Sequence, residues 1–192
     1  KMGIQLAHAG RKASTMLPWD DHRIASLDEG GWIPVSSSPL AYHGMLEPHE
    51  LTVAEIAELV KSFASAAKRS VAAGFDLVEI HAAHGYLFHQ FYSPLSNQRS
   101  DNYGGSFENR IRFLLETIKA VRSVIPDSMP LFVRISASDW VEQGWSIEES
   151  IELSKLMKQL GVDLVDVSSG GNLHNAPIKA VPGFQVPFAH AI

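Results

Sequence analysis

The segment His81-Ala82-Ala83-His84-Gly85-Tyr86 places two imidazoles and a phenol within six positions. A free imidazole titrates near about 6.5 and a free phenol near about 10, so at neutral pH both offer a proton to an oxygen acceptor. The segment follows Gly74-Phe75-Asp76-Leu77-Val78-Glu79-Ile80, an apolar run that reads as a buried strand. In α/β folds the loop at the C-terminal end of a parallel strand is where active sites are built. Two readings stand here: a cluster of donors for a polar ligand, or two capping histidines beside a core tyrosine. A metal site is a weaker third. His81-x-x-His84 on a strand sends its rings to opposite faces unless the backbone turns. Gly85 permits a turn, but no further His or carboxylate follows at a metallo-hydrolase spacing.

Elements that would position these groups alternate along the chain. Gly3 to His8 is a short strand candidate. Residues 13–49 show no sustained period and hold Pro18, Gly30, Gly31, Pro34, Pro39, Gly44 and Pro48. A loop that long is commonly a lid or binding loop, and Trp19, Trp32 and Tyr42 either cover a ligand or fill a satellite core. Thr52-x-x-Glu55 is a capping box opening a helix with Val53, Ile56, Leu59, Val60, Phe63, Ala67 and Val71 at helical spacing, closed by Gly74. A loop from Ser93 to Gly105 leads to a helix over about Phe107 to Val124. Leu131 to Ser136 is the next strand. Ser146-x-x-Glu149 caps a helix ending at Gly161, and Val162 to Ser168 is the last strand. Gly74-Phe75-Asp76-Leu77-Val78 is echoed by Gly161-Val162-Asp163-Leu164-Val165, so strand–helix units repeat and predict a parallel sheet.

Strand side chains alternate faces. One face is apolar throughout: Ile4 and Leu6, Val78 and Ile80, Leu131, Val133 and Ile135, Val165 and Val167. The other carries Gln5, Glu79, His81, Arg134, Ser136, Asp166 and Ser168. A doubly wound sheet needs both faces apolar, whereas a barrel has helices on one side and a confined interior on the other, so the pattern favours a (β/α)8 barrel. Glu79 and Asp166 fit either a self-neutralising charge network or a site. Arg134, always charged, suits an anion or a group that becomes anionic.

Bulk properties narrow the class. The chain has 192 residues, 45% hydrophobic content, net charge −5 and no cysteine. It can bury a core, has no basic block for nucleic acid or anionic membrane, and offers no thiolate. No apolar run approaches the roughly 20 residues that span a bilayer, and no signal-peptide pattern opens it. A cytoplasmic protein is the default expectation. No Gly-x-Gly-x-x-Gly follows a strand, which argues against a Rossmann site, and Gly104-Gly105 and Gly170-Gly171 are weak phosphate signals.

Several long motifs together resemble the Old Yellow Enzyme family of flavin-dependent ene-reductases. They are Gln5-Leu6-Ala7-His8-Ala9-Gly10-Arg11, His81 to Tyr86, Ser93 to Asn97 with Arg99, Asp101, Tyr103 to Ser106 and Glu108-Asn109-Arg110, and Arg134-Ile135-Ser136. The two-histidine wording is closest to the thermophilic-like branch. The resemblance implies an α/β fold, a partial (β/α)8 TIM barrel of about strands 3 to 6, with residues 1–192 as the central part of one FMN-binding domain whose flanking units are missing. It implies FMN, with Gln5 at the pyrimidine edge of the isoalloxazine and Arg134 near its N1 and C2 carbonyl. It implies His81 and His84 as donors to the carbonyl oxygen of an α,β-unsaturated aldehyde or ketone, Tyr86 as the proton donor to the α-carbon, and NADPH or NADH as reductant. Arg11 and Lys12 are motif positions with a structural or loop-ordering expectation. A complete barrel needs about 250 residues and eight strands. The alternative is therefore an incomplete or non-catalytic barrel that needs further strands or a partner chain to bind FMN. The oligomeric state of the whole protein stays open.

Overall fold

The computed structural model describes residues 1–17, 19–20 and 24–192. Pro18, one of the expected loop breakers, lies outside the described residues. Four strands form one all-parallel sheet: β1 (Gly3–Leu6), β4 (Leu77–Ala82), β5 (Leu131–Ser136) and β6 (Leu164–Ser168), in the order β1-β4-β5-β6. Strand order follows chain order, without the reversal that marks a doubly wound sheet. The residues between β1 and β4 hold 3-10 turns at Gly10–Lys12 and Leu27–Glu29 and a second, two-stranded parallel pair, β2 (Val35–Ser36) with β3 (His49–Glu50).

Local chemistry sets the helix boundaries. Helix α1 (Val53–Ala72) begins where Thr52 Oγ1 accepts from Glu55 N–H and the Glu55 carboxylate accepts from Thr52 N–H. Such a cap stabilises a helix by about 1 kcal/mol. The chain leaves α1 through Gly74 at φ +85°. Helices α3 (Phe107–Arg122) and α4 (Ile147–Gln159) start the same way, on Ser106 and on a Ser146–Glu149 capping box. Ile56, Phe63 and Ala67 of α1, Ile111, Leu114 and Ile118 of α3, and Leu153 and Met157 of α4 are buried in one cluster with Val78, Ile80, Leu131, Val133 and Ile135 of the sheet. Each such Val, Leu, Ile, Met or Phe side chain contributes about 1.5–3 kcal/mol on burial. The helices therefore cover the apolar face. On the opposite face Gln5 and Leu164 are exposed and Glu79, Arg134 and Asp166 half-buried. The face parity expected from the sequence holds strand by strand.

Several expected boundaries are corrected. The first strand ends at Leu6 rather than His8, because from Ala9 the backbone enters the 3-10 turn. The second runs to Ala82, so His81 stands within the strand rather than past its end. The last strand begins at Leu164 and α3 ends at Arg122. Val53 is 51% exposed and does not join the buried stripe of α1. Trp19 and Trp32 are 76% and 56% exposed and neither fills a satellite core, while Tyr42 packs under Lys12. Two helices were not expected: α2 (Leu87–Tyr92) and α5 (Val186–Ala191).

Candidate active site

The parallel register sorts the polar face into rows. Gln5, Glu79, Phe132 and Leu164 form one, His81, Arg134 and Asp166 the next, and Ser136 and Ser168 the third. In the first row Gln5 Nε2 donates to Glu79 Oε1. A carboxylate only accepts, so this contact fixes which way the Gln5 amide points. In the second row Arg134 Nε stands 3.2 Å from Asp166 Oδ2, with about a third of each side chain exposed. The N–H is not aimed along that contact, and Arg134 Nε has no hydrogen-bond partner among the described residues. The self-neutralising network weighed for these acids is thus partly realised.

His81 is 5% exposed, and its Nδ1 is buried without a hydrogen-bond partner among the described residues. Its ring lies 5.1 Å from that of His84 and 5.0 Å, edge-on, from that of Tyr86. These three rings line a cleft of about 440 Å3 with Lys12, Thr15, Met16, Met45 and Gly171. Burial is the largest cause that pushes both histidines down to about 4, and the positive charge of Arg134 adds to it. Both imidazoles are therefore neutral near pH 7, each with one N–H to donate. His84 Nε2 lies 2.7 Å from Ser168 Oγ, and His84 N–H donates to Ser136 Oγ at 2.9 Å. The expected site residues His81, His84 and Tyr86 converge, with Arg134 beside His81 in its row of the sheet face and Gln5 one row earlier.

Lys12 ties down the loop bearing His84. His84 has φ +59° and Gly85 φ +69°, so the chain turns sharply out of β4. Lys12 Nζ donates to the carbonyl oxygens of His84 and Gly171 and sits 4.2 Å over the Tyr42 ring. Burial, and then Arg11, lower the Lys12 ammonium to about 8. Arg11 bonds Leu40 O and both Asn172 oxygens. The loop-ordering role expected of Arg11 and Lys12 matches these contacts.

Behind the loop lies a network that sequence reasoning missed. Gly85 N–H donates to His89 Nδ1 at 2.9 Å, so the other ring nitrogen, Nε2, carries the proton it shares with Asp139 Oδ1 at 2.8 Å. Asp139 also accepts from Ser93 Oγ and from Trp145 N–H. Burial pushes the Asp139 carboxyl up, but His89 and these hydrogen bonds outweigh it and leave it below the usual range. His89 and Asp139 are 50 positions apart, with no shared motif to pair them. Tyr92 is fully buried in the core, its hydroxyl donating to Ala82 O and accepting from Ser136 N–H and so tying the ends of β4 and β5. Among the described residues, no group of three or more His, Asp or Glu is placed to hold a metal ion. No helix among them is long and apolar enough to cross a membrane.

Comparison with known proteins bears on this geometry. Residues 1–188 match the NADH:flavin oxidoreductase / NADH oxidase family. The chain is 50% identical to the NADPH dehydrogenase of Bacillus velezensis over all of its own length and 52% of that protein. The structure of 2-naphthoyl-CoA reductase in complex with 2-naphthoyl-CoA superposes with a TM-score of 0.79 at 28% identity, over 98% of this chain and 29% of that one. The Old Yellow Enzyme homologue of Zymomonas mobilis superposes with a TM-score of 0.66 at 29% identity, over 84% of this chain and 45% of that one. The chain spans about half the length of the curated relatives it matches. With a family match over nearly every residue and a parallel sheet that superposes on part of these structures, the chain belongs to the NADH:flavin oxidoreductase / NADH oxidase family, that of the Old Yellow Enzymes.

Proposed function

We propose that this chain carries the substrate half of an FMN-dependent, NAD(P)H-consuming active site that reduces the C=C bond of α,β-unsaturated aldehydes and ketones. One observation carries the reading: neutral His81 and His84 and the Tyr86 phenol meet around one cleft, and the buried His81 Nδ1 has no hydrogen-bond partner among the described residues. A ligand oxygen in the cleft would meet neutral rings that can donate to it without a competing charge. The polar face below fits a flavin. Gln5 would hold its pyrimidine edge with an amide oriented by Glu79, and Arg134 would face its N1 side. Bound FMN would supply the hydride to the β-carbon, after reduction by NADPH or NADH.

The chain's own residues do the rest. His81 and His84 donate to the substrate carbonyl oxygen and stabilise the negative charge that grows there. Their neutrality at pH 7 makes them donors that carry no counter-charge of their own. Tyr86 Oη delivers a proton to the α-carbon. The four strands of the main sheet are read as the third to sixth of a (β/α)8 barrel. Among the described residues β1 and β6 each pair with a strand of that sheet on one side only, which supports the second reading, that further strands or a partner chain are needed to bind FMN. The test is a visible spectrum of the longest translated product carrying these residues, set beside that of residues 1–192 alone. A yellow product bleached by NADPH and restored by cyclohexenone is the expected result. In the Tyr86→Phe variant bleaching should persist while the cyclohexenone step slows by about 10²–10⁴. A product that stays colourless after soaking in FMN refutes the flavin site.

A further inference from the structure

The two residues assigned to the flavin each have an acidic neighbour in register on the next strand, Glu79 beside Gln5 and Asp166 beside Arg134. The two acids do different things. Glu79 takes an amide proton and orients a neutral group. Asp166 stands against a cation, and the Arg134–Asp166 contact, at 3.2 Å, lacks the aimed N–H of a strong hydrogen bond. It orients Arg134 weakly and, with about a third of each side chain exposed, offsets part of its charge. Among the described residues no other carboxylate forms an ion pair with Arg134; the acid one row away on the same face, Glu79, is engaged by Gln5.

We infer that Asp166 sets the reduction potential of the bound flavin by offsetting the charge of Arg134. This rests on the reading that places Arg134 at the N1 side of FMN. Two-electron reduction with uptake of one proton leaves the flavin ring with one negative charge, which an uncompensated guanidinium favours and a neutralised pair does not. An active site that must pass electrons on to an enone gains driving force from a lower potential. Asp166 thus opposes the tendency of Arg134 to hold electrons on the cofactor.

The test is the midpoint potential of the FMN-loaded protein, read from its absorbance against a reference dye. In Asp166→Asn the ratio of reduced to oxidised flavin at a fixed potential should rise about tenfold, a shift of about +30 mV for a two-electron couple. Arg134→Gln should shift the potential the other way, the double variant should return towards the parent, and Asp166→Glu should stay close to it. If the amide does not fold, Asp166→Ser is expected to move the potential in the same direction. A yellow Asp166→Asn protein with the parent's potential overturns the inference while leaving the flavin site standing. Loss of FMN binding in both Asp166 variants overturns it as well, since the pair would then hold the site in shape. A parent protein that binds no FMN removes the underlying reading itself, a separate and visible failure.

Discussion

Replacing Asp139 by alanine tests the idea that the substrate loop is held from behind. Asp139 is 1% exposed and accepts three hydrogen bonds, from His89 Nε2, Ser93 Oγ and Trp145 N. Its removal leaves three buried donors without an acceptor. Each unsatisfied donor costs about 1–3 kcal/mol before relaxation, and breaking one side of a buried pair costs about 3–5 kcal/mol in all. Taking about 3 kcal/mol and an m-value of about 2 kcal/mol per molar urea, the midpoint of urea unfolding should fall by about 1.5 M. Asp139→Asn, whose amide oxygen can still accept two of the three hydrogen bonds, should lose about half as much. The effect also depends on pH. Because the folded carboxyl lies below its ordinary value of about 3.9, its stabilisation is complete above that pH and is lost as pH falls through the folded value, so parent and Asp139→Asn should converge in acid. A midpoint within about 0.3 M of the parent for Asp139→Ala at pH 7 would refute the argument.

Two further outcomes follow from the same site. His81 and His84 are both pushed down to about 4 in the folded chain, so their imidazole resonances should titrate near that pH rather than near about 6.5. The sign for stability is that folding disfavours the charged rings, so stability is intact above about 6.5 and declines as pH falls towards 4. Titration of either ring near 6.5 in an NMR pH series would contradict the burial assigned to it. Gly85→Ala should destabilise the loop by about 1–3 kcal/mol, because φ is +69° and an added Cβ would lie 2.3 Å from Gly171 O. A thermal midpoint equal to the parent's would show that the two loops are not in contact.

Much of this arrangement was legible because it is local. Thr52 with Glu55 and Ser146 with Glu149 announce helix starts three residues apart, and alternation along Leu77–Ala82 and Leu131–Ser136 separates the core face from the polar face. The triple of His81, His84 and Tyr86 was legible for the same reason. Helix α2 was not, since all six of its residues are buried and so show no amphipathic period. The β2–β3 pair was missed because two-residue strands have no pattern to read. Pairings across strands, Arg134 with Asp166 and His89 with Asp139, depend on register and loop packing that no single segment encodes. Parity showed that Arg134 and Asp166 share a face and left open whether they touch; it gave nothing on His89 and Asp139, which lie outside the strands.

The approach of Gly171 to the His84–Gly85 turn bears on how this cleft can be remodelled. An added Cβ on Gly171 would lie 2.6 Å from His84 Cα, as one on Gly85 would strike Gly171 O. Two loops from different strands thus share one packing constraint, and neither can gain a side chain at that point without displacing the other. Laboratory evolution aimed at a broader cleft should find positions 85 and 171 closed to variation. Useful diversity should come instead from Thr15, Met16 and Met45, which also line the space.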